Sequence, residues 1–565
     1  MKVYVQGKNS VSLTQKDLLA QGGEGAVYVK NGTAYKVYLD PKKCIPVGKI
    51  QELSAITNPN VIKPDDILLD GNNKPIGYTM RFVPNTVALC KTFTKAFKNR
   101  NGITPQDTVK HVQKLQSLVS DVHKAGVLIV DLNELNFLVS DKLDEVYGID
   151  VDSYQTKSYP ATAIMESIRD RQVNNNKFTE GSDWFSFAVI AFNMFIGVHP
   201  FKGKHPTISE WTERMDRGIS VFDKDVRLPK VCLPLDVIPQ NWLSWFKAVL
   251  QDGKRVPPPI GLVDALNIAI QVKKVVGSNN FEIKELFSGS SNITTVLWEG
   301  VKAVLTQDDG AIINGNASPD VPADAKLISL PKRNTVLAAF KGIDPGHKRV
   351  IKLYNATTRS SLNWNAAGTD FMRYDNRLYV KNGTAIYEVK FVEAGNNIIP
   401  SMKSVANCLE HGTRVMEGCI IQDLLGATYV SFFPEPDKHY QTHIKELDEY
   451  KIIDAKFEKG VLMVVGHKNG KYDKLIFRMS STFAEYDCRK VEDVTYSGIN
   501  FTVLDNKICV HMTEDEKLQL FPSVRNQAQM KEVDDPTLSG DMKLFSYGVQ
   551  TMFWQGEKVY SIKMK

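Results

Sequence analysis

The chain lacks paired CxxC cysteines, an apolar run long enough to cross a bilayer, a marked excess of one charge, and a GxxxxGK[ST] phosphate loop. Each absence removes a class of protein. The seven cysteines (Cys44, Cys90, Cys232, Cys408, Cys419, Cys488 and Cys509) are scattered and odd in number, which argues against a disulfide framework or a zinc site and for reduced thiols. A formal charge of +6 over 565 residues is too mild a bias to indicate nucleic acid. The opening MKVYVQGKNSVSL has no apolar signal-peptide core. The most apolar stretch, WFSFAVIAFNMFIGV from Trp184 to Val198, is too short for a membrane span and contains Asn193, so a buried helix is expected there. With 43% hydrophobic and 24% charged residues, the expectation is a soluble, cytoplasmic protein of more than one domain, with neither a membrane nor a nucleic-acid partner.

What is present falls into two halves. Up to about residue 275, β-rich runs come first: AVYVKNGTAYKVYL and DILLDGNNKPIGYTMRFV read as hairpins with Asn-Gly and Gly-Asn-Asn turns. Helical patterns follow, one from Thr108 to Ala125 with Val109, Val112, Leu115, Leu118, Val119 and Val122 on one face, one beginning near Ser182, and one near Trp242 to Leu250. A β-rich lobe (1–84) followed by a helical lobe (85–275) gives an α+β bilobal first domain. VVGSNN, Val275 to Asn280, reads as a linker. Across 276–565, strand pairs with Gly/Asn/Asp turns recur at roughly 20-residue spacing, as in NRLYVKNGTAIYEVKF and GVLMVVGHKNGKYDKLIFRM. That suits blades of about 40–50 residues, hence an all-β domain that is a six- or seven-bladed β-propeller; a β-sandwich pair or a β-helix is the alternative, since no WD or kelch signature repeats.

The residues that carry chemistry cluster in the first half. Gly22, Gly23 and Gly25 lie between strand-like segments, where backbone N–H groups could approach phosphates. Lys36 stands in the apolar strand Thr33-Ala34-Tyr35-Lys36, a costly place for an ammonium unless it is paired or functional. Asp131 interrupts the run GVLIVDLNELNFLV, Asn136 follows five residues later, and Asp150 and Asp152 end the next apolar run, VYGIDVDS. Buried acids with an Asn form an oxygen-ligand set suited to Mg²⁺. Asp183 heads the apolar helix and is expected to cap it.

In this order — glycine loop, strand lysine, DxxxxN, acid after a strand, then SDxxSF on a helix — the residues resemble the protein-kinase family over roughly 15–270. The resemblance is strongest to bacterial and phage eukaryotic-like kinases that carry an I-D-x-D-S-[FY]-Q element, here Ile149 to Gln155. It implies ATP and Mg²⁺ as cofactors and a protein substrate phosphorylated on Ser/Thr. Gly22, Gly23 and Gly25 would cover the phosphates, Val27 would pack on adenine, and Lys36 would hold the α- and β-phosphates with Glu52 as its partner. Met80 would be the gatekeeper and Arg81 to Val83 the hinge. Asp131 would take the acceptor's proton, with Asn133 in the same catalytic loop; Asn136 and Asp150 would ligate the metal, and Asp152, which stands where the family has a glycine, would either join them as a metal ligand or serve as a turn residue. Glu166 would pair with Arg255. The β domain would recruit or sense an unknown protein or ligand.

Two departures stand out. Ile129-Val130 replaces the family's His-Arg, so no arginine is present to read an activation-loop phosphate. Asn133 replaces the lysine that faces the γ-phosphate. A nucleotide-binding pseudokinase scaffold is therefore the alternative function, with AMP transfer on the same fold a third.

Overall fold

The computed structural model describes residues 1–259 and 280–565, apart from 300, 331–333, 347, 395–396 and 497. The expected boundary at 275/276, and all of the linker except Asn280, lie outside the described residues.

The first lobe is one antiparallel sheet of seven strands, β1 (Lys2–Val5), β2 (Ser10–Ser12), β3 (Leu18–Gln21), β4 (Gly25–Lys30), β5 (Thr33–Tyr38), β6 (Pro64–Leu69) and β7 (Pro75–Arg81), in the order β2-β1-β6-β7-β5-β4-β3. Asn31 and Gly32 both take positive φ (50° and 76°) and close the β4–β5 hairpin, as a two-residue turn matched to strand twist requires. Helix α1 (Val47–Leu53) is the lobe's short helix. Three small strands follow, β8 (Thr86–Ala88), β9 (Phe137–Ser140) and β10 (Val146–Gly148), paired in the order β10-β9-β8. They matter because Asn136 immediately precedes β9 and Asp150 lies just beyond β10.

The helical lobe holds α2 (Lys95–Arg100), α3 (Pro105–Lys124), α4 (Glu180–Ile196), α5 (Trp211–Asp216) and α6 (Gln240–Phe246), the last running into a wide turn at Lys247–Gln251. The sequence places α3 and α4 to within a few residues. Thr104 and Asp107 form a reciprocal capping box at the start of α3, with Pro105 at its first position. Helix α4 is apolar all round because it is enclosed all round: nearly every residue from Ser182 to Ile196 is buried. Its N-cap is Thr179 rather than Asp183. Asp183 sits inside the first turn, which frees its carboxylate for another task.

From 281 onward the described residues form seven four-stranded antiparallel sheets in tandem. The first six are sequence-contiguous, at 293–318, 326–367, 370–407, 413–443, 451–491 and 501–533; the seventh joins Lys543–Tyr547, Gln550–Gln555 and Lys558–Met564 to the distant strand Phe281–Ser288. Successive side chains of a strand point to opposite faces, and here both faces are covered. Ile420 packs back onto Met372 and Tyr379 of the third sheet, while Ile421 packs forward with Phe457 and Leu462 of the fifth. Such shared cores link every consecutive pair, and Met552 and Val559 of the seventh pack with Ile293, Val296 and Val304 of the first. The seven sheets therefore close into a ring.

The ring sits against the helical lobe. Ile453, Val465, Tyr472 and Val494 belong to the same buried cluster as α3 and α4. Around them lie Lys202–Asp493 (2.5 Å), Lys95–Asp541 (2.7 Å) and Arg349–Asp141 (2.7 Å).

Phe553 is fully buried between the sixth and seventh sheets. Phe553→Ala is expected to cost about 3–5 kcal/mol, seen as a lower denaturant midpoint for the transition that reports on the ring.

Candidate active site

Strand β5 pairs with β4 on one side and β7 on the other, and the register aligns Val27, Lys36 and Tyr78 across three strands. Lys36 is buried, and its Nζ donates to Asp150 Oδ1 at 2.9 Å and to both oxygens of Asp152, at 3.0 and 2.8 Å. Asp152 also accepts from the phenols of Tyr38 (2.5 Å) and Tyr78 (2.7 Å). Burial alone would drive the ammonium toward its neutral form, but Asp152, with Asp150 behind it, outweighs that and holds Lys36 well above the usual lysine range. Burial pushes the Asp152 carboxyl up, and Lys36 together with the two phenols brings it below its ordinary value. The buried ammonium of Lys49 on α1 donates to Asp152 O at 2.7 Å and ties the same turn from the other side.

This corrects two expectations. Glu52 is not the partner of Lys36: its Oε2 accepts from Ser158 N at 3.1 Å, and Asp152 occupies the place beside the ammonium. Asp152 is in turn not available as a metal ligand, because both its oxygens already accept from Lys36 and a tyrosine.

The loop carrying Asp131 is held from below by Asp183. Its Oδ2 accepts from Ile129 N at 2.8 Å and from His123 Nε2 at 2.9 Å, and its Oδ1 accepts from Val130 N at 2.9 Å. Val130 takes φ +63°, a region that β-branched residues avoid; the two bonds to Asp183 hold it there and set the direction of the next residue, Asp131. Asp131 Oδ1 accepts from Met165 N (2.7 Å) and Oδ2 from Asn136 Nδ2 (3.2 Å). Burial raises the Asp131 carboxyl above the ordinary aspartate range, against those bonds. Ile149 N donates to Asn136 O at 2.9 Å, which joins this loop to Asp150. Asp150 adopts φ +61°, and its side chain is 52% exposed beside the buried Lys36. Asn133 turns inward: its Oδ1 accepts from Leu135 N at 2.9 Å, so it braces the loop and is corrected from a catalytic to a structural residue.

In the turn between β3 and β4, Gly22 and Gly23 face open space, whereas a Cβ at Gly25 would lie 2.6 Å from Val37 O. Gly25 is thus required by the close approach of β5, and the other two leave the loop bare. Val27 and Met80 are half-buried, Arg81 is exposed and donates to Pro59 O at 2.5 Å, and Val83 is half-buried. Arg255 makes a two-pronged ion pair, but with Asp170 (2.6 Å for each prong); Glu166 pairs with Arg171 instead. A cavity of about 40 Å³, room for water rather than nucleotide, lies elsewhere, between the helical lobe and the ring, and is lined in part by Glu134, His199, Trp211 and Tyr472.

Among the described residues no group of three or more His, Cys, Asp and Glu could hold a metal ion. The donors that fit Mg²⁺ are the free Asp150 oxygen and the Asn136 amide oxygen, hard ligands of the kind Mg²⁺ takes together with phosphate and water. Reasoning from the sequence missed Tyr38, Tyr78, Lys49 and Asp170. Only Tyr38 left a trace, two residues beyond Lys36 on the same strand face.

No family model matches the chain. Ribosomal protein S6 kinase alpha-3 of Mus musculus and of Homo sapiens is 29% identical over 107 residues, 18% of this chain and 14% of those proteins. Ribosomal protein S6 kinase alpha-6 of Mus musculus is 27% identical over 107 residues. The chain thus matches 14% of the length of these relatives. Among solved structures, the kinase of Cydia pomonella granulovirus superposes with a TM-score of 0.32 at 14% identity, over 42% of this chain and 87% of that one. The sequence similarities support a protein-kinase-like domain in this chain. No helix of the described residues is long and apolar enough to cross a membrane.

Asp152→Asn removes the buried partner of Lys36 and is expected to cost about 3 kcal/mol, with loss of any stabilisation by ATP in a thermal-shift titration. Glu52→Ala should leave both readouts unchanged. The lowered Asp152 carboxyl contributes stability above its unfolded value of about 4 and loses it as pH falls through its folded value, while the raised Lys36 contributes below about 10.4 and loses it as pH rises through its own. The stability difference between wild type and Asp152→Asn should therefore be full between these limits and close in acid; a difference that persisted unchanged at pH 2 would contradict this pairing.

Proposed function

We propose that the first domain is an ATP- and Mg²⁺-dependent protein kinase that transfers the γ-phosphate to Ser/Thr hydroxyls. The observation that carries this reading is the ammonium of Lys36, fixed by Asp152 and Asp150 on the strand next to the one that follows the glycine turn, with Asp131, Asn136 and Asp150 joined through one hydrogen-bonded loop. Lys36 would neutralise the α- and β-phosphates, and Gly22 and Gly23 would let backbone N–H groups close over them. Asp150 and Asn136 would hold Mg²⁺, which supplies charge neutralisation on the phosphates when bound. Asp131, oriented by Met165 N and Asn136, would align the acceptor hydroxyl; as its oxygen bonds to the γ-phosphorus and the bond to the β–γ bridging oxygen breaks, the hydroxyl proton passes to an Asp131 oxygen. Its burial-raised affinity for a proton suits that role.

We read the seven-sheet ring as a seven-bladed β-propeller that carries the partner site of the protein, whether for a protein or for a ligand. A second reading, a scaffold that binds nucleotide without efficient transfer, is favoured by one observation: Asn133 is turned into the loop and brings no positive charge toward the phosphates.

Transfer of label from γ-³²P-ATP with Mg²⁺, to the protein itself and to casein, separates the two. Wild type should label, and Asp131→Asn and Asp150→Asn should each reduce labelling by about 10²-fold or more. ATP-dependent thermal stabilisation without label, both in wild type and in a variant whose ring no longer covers the Asp131 loop, would mean the scaffold; neither signal would remove the nucleotide reading altogether.

A further inference from the structure

Asp131 is approached along two segments. One is its own loop, where Glu134 and Leu135 are buried; the other is Met165–Ser167, whose first N–H is bonded to the Asp131 carboxylate. The fifth sheet of the ring lies on both. Tyr472 donates its phenol to Glu134 Oε1 at 2.7 Å, in a fully buried contact, and Lys451 Nζ donates to Leu135 O at 3.0 Å. The turn Asn469-Gly470, between Val461–Lys468 and Lys471–Met479, reaches the second segment: a Cβ built on Gly470 would stand 3.5 Å from Ser167 Cβ and 3.6 Å from Met165 Cγ. Just after this sheet, Asp493 is held by Lys202 at 2.5 Å and by Trp211 Nε1 at 2.8 Å. A water-sized cavity of about 40 Å³ lies in this seam.

We propose that the ring covers the face on which a protein acceptor must lie, so that transfer to a protein requires the fifth sheet to leave the Glu134–Leu135 and Met165–Ser167 segments. This rests on the kinase reading. An extended polypeptide delivering a hydroxyl to Asp131 has to run beside one or both of those segments, and both are filled by the ring's own residues. The seam is also of a kind that opens. Its apolar part rests on a few side chains, and its outer anchors are ion pairs at partly exposed residues, individually weak and salt-sensitive.

Two variants of the whole chain test this. The Ser167→Cys/Gly470→Cys pair has a Cβ separation suited to a disulfide and closes the seam when oxidised. Asp493→Lys sets a like charge against Lys202 and opens it. With ATP, Mg²⁺ and casein, the oxidised double variant should label casein at least about tenfold more slowly than its reduced form, with wild type taken through the same treatments as the control for its native cysteines, and Asp493→Lys should label casein about tenfold faster than wild type. ATP should stabilise all forms equally in a thermal-shift titration. The proposal is overturned if oxidised and reduced forms label alike, or if Asp493→Lys binds ATP, exchanges its Met165–Ser167 amides faster than wild type, and still labels no faster. Absence of both label and ATP stabilisation in every form, Asp493→Lys included, would instead overturn the kinase reading beneath it.

Discussion

Everything about the first domain turns on one buried ammonium. Lys36 lies in the middle of a sheet, where an unpaired charge would cost several kcal/mol, and the chain answers with a carboxylate whose two oxygens are both shared between that ammonium and a phenol. The pairing links β5 and β7 of the first lobe to the turn after β10, and Lys49 adds α1 to the same turn. Two lobes that share no sheet are thereby fixed to each other at the point where the candidate chemistry is concentrated. The pairing also leaves Glu52, on an α1 of only seven residues, to accept from Ser158 N instead of from the lysine.

A second carboxylate does for the Asp131 loop what Asp152 does for the lysine. Asp183 is fully buried, and its oxygens are spent on two backbone N–H groups and an imidazole. Those bonds hold Val130 in a backbone region it would otherwise leave, so the aim of Asp131 is set by a residue on a different helix, not by its neighbours in sequence. Removing the N-cap duty from Asp183 and giving it to Thr179 is what makes this arrangement possible.

The sequence was most informative where a single segment carries its own signal. The β4–β5 hairpin, the capped helix α3, the apolar helix α4 and the tandem strand pairs all follow from local periodicity and turn chemistry, and the number of sheets falls within the expected six or seven. Pairings between distant segments were much harder to read. Glu52 and Asp152 are both acids at plausible distances along the chain, and only the fold shows which meets Lys36. Glu166 and Asp170 lie four residues apart in one loop, and only the position of Arg255 decides between them. Tyr472 and Lys451 look like ordinary strand residues, since nothing in a period of two distinguishes a residue that faces solvent from one that faces another domain. The 20-residue strand spacing could report repetition, but not that the ring is sealed by a strand taken from its beginning.

That seal has a consequence for assembly on the ribosome. Strand Phe281–Ser288 pairs with Lys558–Met564, so the earliest strand of the ring waits, through the synthesis of six sheets, for one of the latest. Residues 1–259 have all been made before that wait begins. During translation the first domain therefore has time to fold while the ring remains an open row of sheets, with unpaired strand edges exposed to other nascent chains. Residues 543–564 convert that row into a closed body, and a ribosome stalled shortly before them would release a chain whose ring has two sticky ends.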